Sequence, residues 1–102
     1  MSQHFFVKLI SPRATFAQDM TAEERAIMQQ HGAYWTGLMH QGIAVVFGPV
    51  MDPAGVYGVG IVKVTDEGHL RSLIDGDPAT TLNRYEYWPM RAVYADLMPQ
   101  KE

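Results

Sequence analysis

Two neighbouring runs, Ile43 to Phe47 and Val56 to Val64, are apolar on both of their alternating faces, and this restricts the fold more than any other stretch of the chain. Ala44, Val45, Val46 and Phe47 leave no polar side in the first run. In the second, Val59 and Ile61 stand opposite Val56, Val62 and Val64. A strand with two apolar faces has to be covered twice, once on each side. Gly48-Pro49 closes the first run and Asp52-Pro53-Ala54-Gly55 supplies a turn, so the two strands form a hairpin-like antiparallel pair.

The flanking segments supply the remaining elements. His4 to Ile10 reads as a first strand with Phe5, Val7 and Leu9 on one face and His4, Phe6, Lys8 and Ile10 on the other; Ser11-Pro12-Arg13 stops it. Ala14 to Met20 is a connecting loop. Thr21 with Glu24 three positions on is a capping box that opens a helix running to His40, and Gly42 is its natural stop. Gly32 and Gly37 each lower its propensity by about 1 kcal/mol relative to alanine, so packing must hold it or a close contact must require the missing side chains. Thr65-Asp66 caps a shorter helix carrying Leu70, Leu73 and Ile74, which ends near Asp75-Gly76. Asp77 to Thr81 is a turn or a single helical turn. Tyr85 to Tyr94 is the last strand, and Pro89, which has no N–H for a ladder, places it at an edge or a bulge. Residues 95–102 form a C-terminal tail.

Strand, helix, strand, strand, helix, strand is the split pattern of a ferredoxin-like fold. The expectation is one α+β domain over residues 1–102: a ferredoxin-like βαββαβ chain with a four-stranded antiparallel sheet and two helices on one face. Those helices cannot cover both faces of the doubly apolar strands. A second copy of the chain is the simplest cover, which predicts a homodimer, alone or within a higher homo-oligomer, closed face to face into an α/β barrel.

A net charge of −3 over 102 residues offers no basic stripe for phosphates, so no nucleic-acid partner is expected. With no cysteine there is neither a disulfide framework nor a thiolate site. No apolar run approaches the roughly 20 residues that span a bilayer, and the first ten residues lack the basic start and long apolar centre of a secretory signal. A cytoplasmic protein without membrane association is the expectation.

His31 is the residue that chemistry would use. Ile27, Met28, Trp35, Leu38 and Met39 recur at helical spacing as an apolar stripe, and His31 falls four after Ile27 and four before Trp35. Its ring points inward, either as a core histidine bonded to a carbonyl or as a general base. The second role needs a partner that accepts from one ring nitrogen and fixes the tautomer, as a carboxylate does. Asp77 is the candidate, because it lies between the second helix and the last strand, where the chain returns towards the first helix. Asp77 before Pro78 is also a good cap for a helical turn and needs no other role.

Other chemistries find less support. His31 and His40, nine positions apart, face opposite sides of the helix, and no HExxH-type cluster exists, so no metal is expected. Gly58-Val59-Gly60 lies within a strand and lacks the third glycine of a dinucleotide loop; it fits a close backbone approach by Trp35 or by a ring from a second subunit. No cofactor is expected. No serine stands in an elbow motif. The aromatic residues, Tyr85 among them, suit core and dimer packing, with a minority lining a pocket for a flat apolar molecule, and the methionines fill the same space.

The chain resembles YciI-like (YCII-related) proteins in His31 in mid-helix, Gly48-Pro49 closing strand two, Asp77-Pro78 after the second helix, and Trp88-Pro89-Met90 in the terminal strand. The resemblance implies a dimeric α/β barrel whose pocket holds His31 and Asp77 as the presumed catalytic pair. Trp35, Gly48 and Pro49 are the candidate substrate contacts. Two features depart from the family: Ala79 stands where an aromatic residue often follows Asp-Pro, and the Ser11 to Met20 loop is longer, as a lid or a dimer contact would be.

The leading reading is a cofactor-free enzyme, a lyase, isomerase or hydrolase. In it His31 moves a proton and Asp77 orients the ring during elimination, isomerisation or lactone chemistry on a small organic acid. The alternative is a non-catalytic small-molecule-binding or assembly domain in which the pair is structural. A cofactor-independent monooxygenase of the related dimeric barrels is a third reading.

Overall fold

In the computed structural model, which describes residues 2–95, the chain forms β1 (Gln3–Ile10), α1 (Phe16–Asp19), α2 (Ala22–His40), β2 (Ala44–Val50), β3 (Tyr57–Val64), α3 (Glu67–Asp75), a 3-10 turn (Pro78–Thr81) and β4 (Arg84–Met90). The four strands make one antiparallel sheet in the order β2-β3-β1-β4, so the two consecutive strands β2 and β3 pair and β1 lies inside. This is the α+β, split βαβ arrangement that the element order predicts. No helix among the described residues is long and apolar enough to cross a membrane.

The ends of α2 follow the local code. The Thr21 hydroxyl accepts from the Glu24 N–H at 3.1 Å, and the Glu24 carboxylate accepts from the Thr21 N–H at 2.9 Å. Gly42, at φ 77°, turns the chain out of the helix into β2, a conformation that costs glycine little.

Both prolines inside strands stand at edges. Pro89 is in β4, as its missing donor requires. Pro49 lies within β2, opposite Gly58, so the strand continues through Gly48-Pro49 to Val50 where the sequence predicts a stop. The other edge accounts for this, since a proline N there owes no ladder bond. The last strand ends at Met90, short of the expected Tyr94. Met90 is paired with His4 at the start of β1, and the partner strand runs out there. Of the expected tail, 95–102, all but Ala95 lies outside the described residues.

The core sits between one face of the sheet and the helices. Phe5, Val7, Ala44, Val62 and Val64 meet Trp35 and Leu38 of α2 and Leu70 of α3. Met39 shares the spacing of the stripe yet is 43% exposed, at the last turn of α2. Ile27 and Met28 are half-buried. The other face of the sheet carries Phe6, Val59, Ile61, Val46 and Trp88, and no described element lies over it. Val46 is 54% and Trp88 49% exposed there.

Where a loop is expected over Ala14 to Met20, the chain makes the single helical turn α1. Its Phe16 is buried at 3% exposure. Four residues are too few for a periodic signal, which is why the turn escapes sequence reading.

Candidate functional site

Asp77 begins as an ordinary cap. Pro78 presets the first turn of the 3-10 segment, and the Asp77 Oδ1 accepts from the Ala79 N–H at 2.9 Å. The turn then packs against α2, and the carboxylate is only 2% exposed. A buried carboxylate needs several donors, and here three side chains from distant parts of the chain supply them.

His31 Nδ1 lies 2.8 Å from Oδ2 and 3.0 Å from Oδ1; Trp35 Nε1 donates to Oδ2 at 2.8 Å; the Tyr85 hydroxyl donates to the same oxygen. Burial pushes the Asp77 carboxyl upward, but the bonds from His31, Tyr85 and the Ala79 N–H outweigh it and hold the group below its ordinary value. The carboxylate is therefore ionised and can only accept. Its partner nitrogen Nδ1 then carries the imidazole proton, which leaves the lone pair of the neutral ring on Nε2. Nε2 has no hydrogen-bond partner among the described residues. Burial, together with the bond to Asp77 and its charge, raises the Tyr85 hydroxyl well above its ordinary value and keeps it a neutral donor.

His31 and Trp35 reach Asp77 from one face of α2, being four residues apart. Trp35 can lie close against β3 because position 60 is glycine: a Cβ there would stand 2.5 Å from Trp35 Cζ3. That is the close approach expected of the Gly58-Val59-Gly60 stretch, with Trp35 as the ring. Gly58, in turn, leaves room for Leu9. Gly32 and Gly37 have open space at the Cβ position, so it is packing elsewhere along α2 that holds the helix.

A cavity of about 310 Å³ opens beside the cluster. His31, Trp35, Gly48 and Pro49, all singled out in the sequence, line it. Asp77 does not reach the cavity surface; it stands behind His31, Trp35 and Tyr85. Ala79 does not line the cavity either and is fully buried. Phe16, Ala17 and Met20 cover part of the cavity from the α1 segment. Arg13 clasps that segment to the start of α2, with its guanidinium on Glu24 at 2.8 and 2.9 Å and on Asp19 at 2.8 Å. The Arg13 bonds, with the Thr21 N–H, hold the Glu24 carboxyl down at about 2.

Tyr85 is the site residue that sequence reading leaves in the general aromatic set. A signal exists: Tyr85 shares the inward face of β4 with Tyr87, and a buried phenol needs a partner for its O–H.

A search of curated protein sequences gives no match. The family model of the YCII-related domain, however, matches residues 5–92, a span that holds the sheet apart from the first two residues of β1, the His31–Asp77 pair and the whole lining of the cavity. The chain therefore belongs to the YCII-related family.

Proposed function

We propose that the protein is a cofactor-free enzyme of small-molecule proton transfer, with His31 as the group that takes or gives the proton and Asp77 as the residue that positions it. One observation carries the reading: the Nδ1 edge of His31 is engaged by a buried, ionised carboxylate, while the same residue lines an apolar cavity and no described residue bonds to its other nitrogen. When a substrate X–H gives its proton to Nε2, the electron pair stays on X. The imidazolium that forms is stabilised by Asp77 at 2.8 Å. Elimination, isomerisation and lactone opening all begin with such a step.

A panel of small enolisable ketones and lactones in heavy water, followed by NMR for deuterium uptake, tests this. The wild-type chain should catalyse exchange on at least one compound, and His31→Ala should lower the rate by about 10²–10⁴-fold while remaining folded. Full exchange in His31→Ala, or none in the wild type, counts against the proposal. A purely structural pair has its own support, since His31 is one of the donors that satisfy the buried Asp77 carboxylate and lies against both of its oxygens. It predicts the second outcome together with a loss of stability.

The same reading includes a homodimer formed through the open face of the sheet. What supports it is the apolar centre of Phe6, Ile61, Val46 and Trp88, with the Phe6 and Trp88 rings 5.9 Å apart, where an uncovered sheet would leave aromatic and β-branched side chains in water. Light scattering on the eluted protein should give twice the chain mass. A stable monomer at micromolar concentration would remove this part of the reading.

A further inference from the structure

The polar groups around the cavity divide unevenly between donors and acceptors. Three side chains beside Asp77 carry protons that could serve a ligand, and all three are spent on the carboxylate: Nδ1–H of His31, Nε1–H of Trp35 and the hydroxyl of Tyr85. The Ser11 hydroxyl donates to the Val56 carbonyl at 3.2 Å. What remains on these side chains is lone pairs, chiefly His31 Nε2 and the Tyr85 oxygen. Apart from Tyr57, most of the remaining wall is apolar, with Val7, Leu9, Phe16, Phe47 and the methionines.

Cations are absent from this wall. Among the described residues, neither lysine nor arginine lines the cavity. Lys8, on the opposite face of the sheet, sits 4.6 Å from the centre of the Tyr57 ring. Arg13 is held by Asp19 and Glu24. Among the described residues, the buried carboxylate of Asp77 is the full charge in hydrogen-bond contact with this cluster, one imidazole ring away from Nε2.

We infer that the cavity takes an uncharged, largely apolar ligand that offers one hydrogen-bond-donating X–H group to His31 Nε2, and that it discriminates against carboxylates and other anions. The inference rests on the proton-transfer reading for the choice of Nε2 as the contact atom. Charge accounts for the discrimination. With a neutral ligand the site holds one negative charge before transfer and the same net charge after it, the imidazolium then lying between Asp77 and X. An anionic ligand would bring a second negative charge against a lone pair, with no cation among the described lining residues to meet it. The small organic acid expected from the sequence thus gives way to a neutral compound with a hydroxyl, an amide N–H or an acidic C–H.

Calorimetry and ligand-observed NMR with three probes of one shape test this on the full chain at neutral pH. They are para-ethylphenol, ethylbenzene and para-ethylbenzoate. The phenol should bind about tenfold more tightly than ethylbenzene, the worth of one hydrogen bond in a desolvated site, and para-ethylbenzoate should bind at least about tenfold more weakly than the phenol. In His31→Phe the ratio of phenol to ethylbenzene affinity should fall from about tenfold to about one. Should that variant not fold, the ¹⁵N resonance of His31 Nε2 in the wild type decides, since it should move with the phenol and stay with ethylbenzene. Benzoate equal to or tighter than the phenol overturns the inference, as does a phenol with no advantage over ethylbenzene or a phenol preference that survives His31→Phe. The first of these would leave the proton-transfer reading intact, with His31 entering as an acid. Retained exchange in His31→Ala would remove that reading and leave the binding preference standing.

Discussion

Asp66 and Asp77 are two aspartates with one local job and different surroundings. Each stands at the N-cap of a helical turn, and each accepts a hydrogen bond from a backbone N–H, that of His69 at 2.8 Å for Asp66 and that of Ala79 at 2.9 Å for Asp77. Asp66 stays exposed at the start of α3. Asp77 is 2% exposed and takes three further donors, from residues 46, 42 and 8 positions away in sequence. The difference shows that a cap becomes a candidate site through what tertiary packing brings to its second oxygen. Its own local motif is silent on the matter.

Alanine at the two positions should separate them most sharply. Asp77→Ala strands three side-chain donors, the buried Trp35 and the half-buried His31 and Tyr85, and the Ala79 N–H, and is expected to cost about 3–5 kcal/mol. Asp66→Ala removes only an exposed cap and should cost about 1 kcal/mol. Urea unfolding of both variants measures the contrast. Equal losses would mean that the three rings do not depend on the carboxylate, and the comparison would fall.

This contrast also marks how far the chain can be read without coordinates. The caps, the element order and the edge position of Pro89 depend on residues a few positions apart or on a two-residue alternation, and they are plain in the sequence. The His31–Asp77 pair was legible because a lone polar ring within an apolar stripe asks for a partner, and the topology limits where one can come from. The other two donors were not. Trp35 and Tyr85 are simply aromatic in sequence, and the direction of an indole N–H or a phenol O–H is decided by packing. The Arg13 clasp on Asp19 and Glu24 is hidden for a similar reason, because Glu24 already had a complete explanation in the capping box.

A smaller effect should come from moving the Trp35 donor without removing it. In Gly60→Ala the new methyl would lie 2.5 Å from Cζ3 and 2.7 Å from Cη2 of a ring that is 6% exposed. The indole has to shift, away from β3 and off Asp77, at an expected cost of about 1–3 kcal/mol. Gly37→Ala is the control: nothing lies within 4 Å of its Cβ position, so the same change in mid-helix should stabilise by about 0.5–1 kcal/mol. Thermal unfolding of the two variants should give shifts of opposite sign. A neutral Gly60→Ala would mean that Trp35 is not confined between Gly60 and Asp77.

The smallest expected effect is one of pH, and it separates the donors from the acceptor. Asp77 has a folded-state pKa below its ordinary 3.8, so its contribution to stability is complete above that value and is lost as the pH falls through the lower, folded one. Tyr85 is shifted the other way. Its folded pKa lies above the ordinary 10.0, so its contribution is complete below 10 and is lost as the pH rises through that value towards the folded one. Tyr85→Phe deletes the donor and the titrating group together. At neutral pH it should cost about 1 kcal/mol, the net worth of one hydrogen bond. Above pH 10 the wild type should lose stability that the variant has already forgone, so the two curves of unfolding free energy converge on the alkaline side. On the acid side the variant keeps the His31 and Ala79 bonds to Asp77, so its fall in stability should persist with reduced depth. Parallel curves across the alkaline range would mean that the phenol proton is not held on Asp77, and the four-donor description of that carboxylate would lose one member.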